Sequence, residues 1–178
     1  MKICVFCSAN QAIDKMFFRA SEELGTWLAE NGHELVFGGV NQGLMECIAQ
    51  ATKAAGGKTI GVVPSIVEAT GRTSQYNDVV IACENLSERK QLMLDKSDVF
   101  IALPGGIGTL DEVFTVAASY TIGYHQKRVI LYNINGFWNG TIAMLDDLQQ
   151  QGMVRGEWRN YICVANNLDE IADILTQG

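Results

Sequence analysis

The sequence predicts an α/β fold: one doubly wound, Rossmann-like domain whose mostly parallel sheet of about six or seven strands has helices on both faces. Short, continuous apolar runs alternate with longer amphipathic stretches along the chain, which is the pattern of βαβ units. Glycine is frequent (18 residues) and proline is rare (2), as expected for regular elements joined by tight turns. A length of 178 residues fits a single domain, which we expect to span residues 1–178.

In the first half of the chain, each predicted strand is an apolar run that a glycine, a proline or a polar turn ends. The runs KICVFC, ELVF and TIGVV predict strands at residues 2–7, 34–37 and 59–63. The stretches between them carry apolar residues at helical spacing and predict helices at residues 14–31 and 42–55. Residues 65–75 show no clear period and contain Gly, Thr and Ser, so we predict a loop there.

The second half of the chain continues the alternation. Apolar runs predict strands at residues 79–82, 99–103, 129–132 and 161–164. Amphipathic stretches predict helices at residues 85–96, 109–122, 136–151 and 168–175. Strands that read as unbroken apolar runs are buried on both faces, so we expect a parallel sheet between two layers of helices. Met45 and Met93 are predicted to fill the core between these layers.

The charge and the apolar pattern exclude several classes of protein. The net charge is −7 and no cluster of Lys and Arg is visible, so we predict no nucleic-acid partner. No apolar run reaches the ~18 residues that span a bilayer, and no signal peptide precedes the first strand. We therefore expect a cytoplasmic protein with no membrane partner.

The cysteines and histidines predict neither disulfides nor a metal site. The five cysteines are irregularly spaced. Cys4 and Cys7 form a CxxC, but in a strand these two residues point to opposite faces, whereas a redox pair lies at the start of a helix. His33 and His125 are far apart and lack Cys or Asp at ligand spacing. We predict no metal and no cofactor.

Three loops are candidates for the binding site. In doubly wound sheets the ligand lies beyond the carboxyl ends of the strands, where the strand order reverses. That rule selects residues 8–11, 38–43 and 104–109, each of which follows a predicted strand. Two of the three loops are rich in glycine, as expected for the rim of an anion site.

The segment PGGIGT, at residues 104–109, lies between a predicted strand and a predicted helix. Gly105, Gly106 and Gly108 allow the backbone to approach a ligand closely, and the N–H groups at the start of the helix favour an anion. Thr109 can cap the helix or donate its hydroxyl to a phosphate oxygen. No lysine follows the glycines, which disfavours the triphosphate chemistry of a P-loop.

Two carboxylates follow this glycine-rich segment. Thr109 and Glu112 fit a capping box, in which Glu112 would serve only the start of the helix. Alternatively, Glu112 lies close to whatever carries the phosphate and acts as a general base or stabilises a developing cation. The spacing alone leaves both interpretations open. Asp111 is predicted to be a first-turn residue favoured by the helix dipole, without a chemical role.

Arg89 and Lys90 lie near the start of a predicted helix, where the helix dipole disfavours positive charge. One interpretation is a solvated charged turn that includes Glu88. The other is that Arg89 binds a phosphate or a carboxylate through its planar guanidinium group. The glycine pair at residues 38–39 is likewise either a tight turn or a place where backbone approaches a ligand.

Several stretches together resemble the Lonely Guy family, the cytokinin riboside 5′-monophosphate phosphoribohydrolases. They are VFCSAN at residues 5–10, GGVNQGLM at 38–45, SERK at 87–90, PGGIGTLDE at 104–112 and GYHQKRVILYN at 123–133. The resemblance covers most of the chain. It implies a doubly wound fold, a homodimer or larger homo-oligomer, and hydrolysis of the N-glycosidic bond in a nucleoside 5′-monophosphate, which releases the free base and ribose 5-phosphate.

The resemblance assigns roles residue by residue. Glu112 and Arg89 match the catalytic pair. The substrate-binding positions are Ser8, Gly39, Lys90, Gly105, Gly106, Ile107, Gly108 and Thr109, and the glycine-rich part of this set would hold the 5′-phosphate. The sequence also departs from the family pattern: Ser87 stands in place of a histidine, Val40 and Glu46 replace glycines, and Glu68 lies only near the position of a common loop glutamate. The preferred base, that of a cytokinin or of AMP, is therefore left open.

Two other functions compete with this interpretation. A non-catalytic carrier, resembling molybdenum-cofactor carrier proteins, would bind a phosphorylated ligand without consuming it, and Glu112 beside the glycine-rich segment weighs against that. A pyridoxal-phosphate-dependent lysine decarboxylase, which the family's common label suggests, needs a lysine that forms a Schiff base. No lysine lies in a sequence setting that indicates one.

Overall fold

A parallel sheet forms the centre of the protein. The computed structural model describes residues 1–176. In that part the strands are β1 (Lys2–Phe6), β2 (Glu34–Phe37), β3 (Lys58–Pro64), β4 (Val79–Cys83), β5 (Val99–Ala102), β6 (Val129–Tyr132) and β7 (Ile162–Ala165). All seven strands run parallel in the order β4-β3-β2-β1-β5-β6-β7. The predicted doubly wound fold is confirmed.

A helix follows each strand. They are α1 (Lys15–Glu30), α2 (Gly43–Ala54), α3 (Ser65–Ala69), α4 (Leu86–Lys96), α5 (Ile107–Thr121), α6 (Asn139–Gln150) and α7 (Leu168–Thr176). Side chains cap three of the helix starts: the Asp14 carboxylate accepts a hydrogen bond from the Met16 N–H (2.9 Å), the Asn85 side chain accepts one from the Glu88 N–H (3.0 Å), and the Asn167 side chain accepts one from the Glu170 N–H (2.9 Å). Among these helices none has the length and apolar character needed to cross a membrane.

The strand order places one reversal point in the sheet. The chain adds β2, β3 and β4 on one side of β1, and then crosses over to add β5, β6 and β7 on the other side. The carboxyl ends of β1 and β5 therefore lie side by side at the point where the winding changes direction. In open α/β sheets this is where ligands bind.

Two hydrophobic cores lie on opposite faces of the sheet. One contains buried side chains of α1, α2 and α7, such as Leu24, Ile48 and Ile171, and the other contains side chains of α4, α5 and α6. Cys4 packs in the second core and Cys7 in the first, so the prediction that the CxxC residues point to opposite faces is confirmed.

The structure differs from the sequence prediction in two connections. The predicted loop at residues 65–75 opens with the short helix α3, which is too brief to show a period in the sequence. The helix predicted from residue 109 begins at Ile107. The prediction places the start too late because the sequence pattern assigns Gly108 to the loop, whereas Gly108 lies in the first turn of the helix. Glycine is tolerated there, since the first N–H groups of a helix have no intrahelical partner in any case.

Candidate active site

A cavity of about 280 Å³ lies where the carboxyl ends of β1 and β5 meet. It is lined by the end of β1, the loop after β2, one face of α4 and the start of α5. The lining residues are Val5, Phe6, Cys7, Ser8, Ala9, Gly38, Met45, Arg89, Met93, Gly106, Gly108, Thr109 and Glu112. The cavity therefore coincides with the reversal point at which the fold predicts a ligand.

Backbone hydrogen bonds join the loops that surround the cavity. The Leu103 N–H donates to the Phe6 carbonyl (2.9 Å), and the Ser8 N–H donates to the Pro104 carbonyl (3.2 Å). The Ser8 carbonyl in turn accepts from the Leu44 N–H (2.9 Å), which ties the start of α2 to the same place. The segments after β1, β2 and β5 thus hold one another in position around the cavity.

The start of α5 faces the cavity. Gly106 occupies the N-cap position without a side-chain cap, and the first α-helical hydrogen bond runs from the Leu110 N–H to the Gly106 carbonyl (3.0 Å). The N–H groups before Leu110 have no partner within the helix, and the helix dipole makes this end positive. Since Gly106 and Gly108 line the cavity, an anion in it meets backbone N–H groups.

The capping box predicted for Thr109 and Glu112 is not formed. α5 begins at Ile107, so Thr109 is the third helical residue and Glu112 lies in the second turn. Asp111 is likewise outside the first turn, which contradicts its predicted dipole role. The error follows from the early start of the helix. Glu112 points instead into the cavity, so the interpretation that it serves only the helix start no longer applies.

Burial perturbs the carboxyl group of Glu112. Loss of solvent is the main cause that raises its pKa from 4.5 to about 7, since the charged form is poorly hydrated in the cavity wall. Arg89 lowers the pKa by attraction, Asp111 raises it by repulsion, and Lys90 lowers it. A carboxyl group that titrates near neutral pH is suited to accept or donate a proton in a reaction.

Arg89 is held against the sheet instead of extending into solvent beside Glu88. Its Nε donates to the Val62 carbonyl (3.1 Å) and its Nη2 donates to the Gly38 carbonyl (3.1 Å). In residues 1–176 these two carbonyls are the hydrogen-bond partners of the guanidinium group, so the other N–H groups of the guanidinium are available to a ligand in the cavity. Glu88 accepts a hydrogen bond from the Glu84 N–H (2.7 Å) and takes no part in the cavity.

Comparison with known proteins identifies the family. The model of the family described as possible lysine decarboxylase matches residues 45–175. A cytokinin riboside 5′-monophosphate phosphoribohydrolase of Arabidopsis thaliana is 36% identical over 177 residues, which cover 98% of this chain and 76% of the relative. A probable cytokinin riboside 5′-monophosphate phosphoribohydrolase of Oryza sativa subsp. japonica is 34% identical over 176 residues, covering 99% and 72%. The chain belongs to the Lonely Guy family.

Solved structures with the same fold include carriers of a cofactor. The molybdenum cofactor binding protein from Rippkaea orientalis superposes on this Lonely Guy chain with a TM-score of 0.76 and 28% identity, covering 99% of this chain and 95% of the other. A molybdenum cofactor carrier protein from Chlamydomonas reinhardtii gives a TM-score of 0.74 at 24% identity, covering 99% and 95%. The second likeness shows the fold alone.

Six of the residues singled out in the sequence lie together in the cavity wall of this Lonely Guy chain: Ser8, Arg89, Gly106, Gly108, Thr109 and Glu112. The other four lie outside the lining. Ile107 is exposed, Gly105 packs behind the wall, and Lys90 pairs with Asp111. Gly39 has a φ of +67° and packs against Gly61 and Val63 of β3, so its backbone freedom serves the sheet, and it is Gly38 that borders the cavity.

Sequence reasoning missed part of the apolar wall. Met93 is buried in the core, as predicted, but it also lines the cavity together with Met45 and Phe6. Met93 lies four residues after Arg89 on α4, so the two share a helix face and the spacing could have identified it. Of the family departures, Ser87 is exposed and Glu46 lies outside the lining.

Neither a metal-binding cluster nor a lysine is found at this site among the described residues. Between residues 1 and 176 no group of three or more His, Cys, Asp or Glu side chains is placed to hold a metal. No lysine is among the described residues that line the cavity. The wall thus combines helix N–H groups, one guanidinium and one carboxyl group of near-neutral pKa.

Gly105 controls the position of Thr109. A Cβ atom at residue 105 would overlap the Thr109 side chain, which is itself buried. We expect Gly105→Ala to displace Thr109 from the cavity wall and to lower kcat/KM for a phosphorylated substrate about tenfold, because a hydroxyl available to the ligand is lost. Steady-state kinetics measures kcat/KM. Gly140→Ala is the control, since a Cβ there meets no neighbour, and unchanged kcat/KM in Gly105→Ala would contradict the prediction.

Proposed function

We propose that this chain hydrolyses the N-glycosidic bond of a nucleoside 5′-monophosphate and releases the free base and ribose 5-phosphate. The observation that carries this proposal is the shared cavity: Glu112, with a pKa of about 7, lines it together with Arg89 and the start of α5. One carboxyl group and one anion site in a single cavity suit a substrate whose phosphate is remote from the bond that breaks. The names of the curated relatives describe this class of reaction.

The phosphate binds first in this scheme. Backbone N–H groups at the start of α5 and the Thr109 hydroxyl hold the 5′-phosphate, and Arg89 contributes positive charge from the cavity wall. The protein has a net charge of −7, so this local arrangement supplies the positive potential. Binding energy from the unreactive phosphate then fixes the ribose near Glu112.

Cleavage passes through an oxocarbenium-like sugar. The C1′–N bond breaks and its electron pair leaves with the base, which takes up a proton from solvent, and Glu112 afterwards returns to solvent the proton that it accepts. A water oxygen bonds to C1′, and the carboxylate of Glu112 accepts a proton from that water. The same carboxylate stabilises the positive charge that develops at C1′.

The apolar part of the wall is where we place the base. We propose a cytokinin riboside 5′-monophosphate or AMP as the substrate, with the base near Met45, Met93 and Phe6. Methionine side chains adapt to aromatic partners of different shape, so this wall suits a planar base.

The experiment is incubation with a panel of nucleoside mono-, di- and triphosphates, with detection of free base and ribose 5-phosphate. We expect release from monophosphates, including cytokinin riboside 5′-monophosphates and AMP. No release of base from any nucleotide would overturn the proposal.

The pH profile provides a second test. Because Glu112 acts as a carboxylate and its pKa is about 7, we expect kcat/KM to rise with pH through about 7 and to level off above it. Below that value the carboxyl group is protonated and cannot accept a proton from water, so the slope should approach tenfold per pH unit. A profile that is flat between pH 5 and pH 8 would exclude this role.

A carrier function is the second candidate. The similarity to the Rippkaea orientalis molybdenum cofactor binding protein, with a TM-score of 0.76 and 28% identity, favours it. A carrier would retain a phosphorylated ligand without turnover, and Glu112→Gln would not impair its binding. Calorimetric titration of the wild-type protein and of Glu112→Gln with AMP, alongside the product assay, separates the two functions. Equal binding by both proteins without release of product would favour the carrier.

The family resemblance supports an assembly of several chains, and the sequence pattern supports a cytoplasmic location. We propose a homodimer or larger homo-oligomer in the cytoplasm. Sedimentation velocity measures the assembly, and a single monomeric species at working concentrations would contradict it.

A further inference from the structure

An ion pair lies directly behind the two proposed catalytic residues. The Lys90 Nζ donates to both carboxylate oxygens of Asp111, at 2.9 and 2.8 Å, and so links α4 to α5. Lys90 follows Arg89 in the sequence, and Asp111 precedes Glu112. Each member of the pair is thus the immediate neighbour of a residue in the cavity wall.

Helix geometry explains why the four residues divide in this way. Consecutive residues of an α-helix point about 100° apart, so Arg89 can face the cavity while Lys90 faces the neighbouring helix. The same rotation directs Glu112 to the cavity and Asp111 toward α4. Lys90 and Asp111 lie outside the cavity lining, whereas Arg89 and Glu112 belong to it.

We propose that Lys90 and Asp111 are positioning residues, which hold α4 and α5 together so that Arg89 and Glu112 face one another across the cavity in their working charge states. The proposal rests on the roles of Arg89 and Glu112 given above. It also reassigns Lys90, which the family resemblance presents as a substrate contact.

Charge provides a way to test the pair. The charged and titratable groups around Glu112 in residues 1–176 are Arg89 and Lys90 on α4, Asp111 on α5, and the thiols of Cys4 on β1 and of Cys7 directly after it. Burial raises the pKa of both thiols well above the ordinary value, so they stay neutral near pH 7. The charges that act on the pKa of Glu112 are therefore those of Arg89 and of the ion pair.

Removing one partner at a time should move Glu112 in opposite directions. Lys90→Met leaves Asp111 uncompensated, so the pKa of Glu112 should rise. Asp111→Asn leaves Lys90 uncompensated, so the pKa of Glu112 should fall. The double variant Lys90→Met/Asp111→Asn removes both charges and should return the pKa toward that of the wild type.

The measurement is a carbon-13 NMR titration of the Glu112 carboxyl group, with Glu112→Gln to assign its signal. It needs no turnover, so it tests the pair even if the proposed hydrolysis is wrong. In the hydrolysis assay we expect both single variants to lose about tenfold in kcat with little change in KM. The conservative variant Asp111→Glu keeps the negative charge, so it should retain most of the wild-type kcat. The pair is partly exposed, with side chains that are 23% and 54% accessible, so the variants should remain folded.

Three results would overturn the proposal. Equal shifts of the Glu112 pKa in the same direction, or none, would show that the pair does not act on Glu112. A higher KM in Lys90→Met with an unaffected Asp111→Asn would show that Lys90 contacts the substrate. Parallel losses of thermal stability with normal kcat would show that the pair only joins the two helices.

Discussion

Replacement of Glu112 by glutamine is expected to lower kcat by about 10²- to 10⁴-fold, the range typical of a lost general base. The amide side chain would keep the size and shape of the native one, but it can neither accept the proton of the attacking water nor offset charge at C1′. Turnover of AMP and of a cytokinin riboside 5′-monophosphate measures the loss. Glu30→Gln, at an exposed position at the end of α1, is the matched control.

The same substitution should stabilise the fold at high pH. The folded-state pKa of Glu112 is raised from 4.5 to about 7, so the contribution of this group to stability is fully present below pH 4.5 and is lost as the pH rises through about 7. Glutamine does not titrate. The advantage of Glu112→Gln in the free energy of unfolding should therefore be larger at pH 8 than at pH 4, by up to about 3 kcal/mol.

Denaturant unfolding at the two pH values measures this difference. A variant with near wild-type turnover would show that Glu112 is not catalytic. A stability difference that does not depend on pH would show that the carboxyl group is not desolvated, and that the acid–base role lacks its physical basis.

Gly38→Ala should be the second most damaging substitution. A Cβ at residue 38 would overlap the Arg89 Nη2 and lie 2.6 Å from the Met45 Sδ. Gly38 does not have a positive φ, so alanine fits the backbone and the conflict is with side-chain ends that can move. The guanidinium group would leave the carbonyls of Val62 and Gly38, and we expect kcat/KM to fall about 10²-fold, as when one charge-stabilising donor is removed from an active site.

A double-mutant cycle shows whether Gly38 acts through Arg89. Arg89→Lys keeps the charge but loses the planar fork that binds the two carbonyls. In that background Gly38→Ala should cost little more, because the conflict with the fork is already gone. Additive losses in kcat/KM would mean that Gly38 affects the site in another way.

The fold was predictable because each strand is an uninterrupted apolar run and each connection has a helical period. The position of the cavity followed from topology, since β1 and β5 flank the reversal point in the strand order. Five of the site residues were likewise accessible from the segment PGGIGT, the glutamate after it and the charged helix start, and Ser8 was accessible from the loop after the first strand and the family resemblance.

The remaining features depend on geometry that spacing does not encode. Whether α5 starts at residue 107 or 109 decides between a capping box and a residue in the cavity, and both starts fit the same letters. Gly38 and Gly39 are adjacent, and only the packing of β2 on β3 shows which one borders the cavity. Lys90 pairs with Asp111 across two helices, a contact that neither helix predicts alone.

The seam between β1 and β5 also has a consequence for how the chain acquires activity. Ile3 pairs with Val99, so this contact closes a loop of more than half the chain, and contacts of such sequence separation form slowly and late. The cavity exists only after that seam has closed. Recovery of turnover during refolding would therefore report the last long-range pairing, and a nucleotide that bridges the seam would slow its opening.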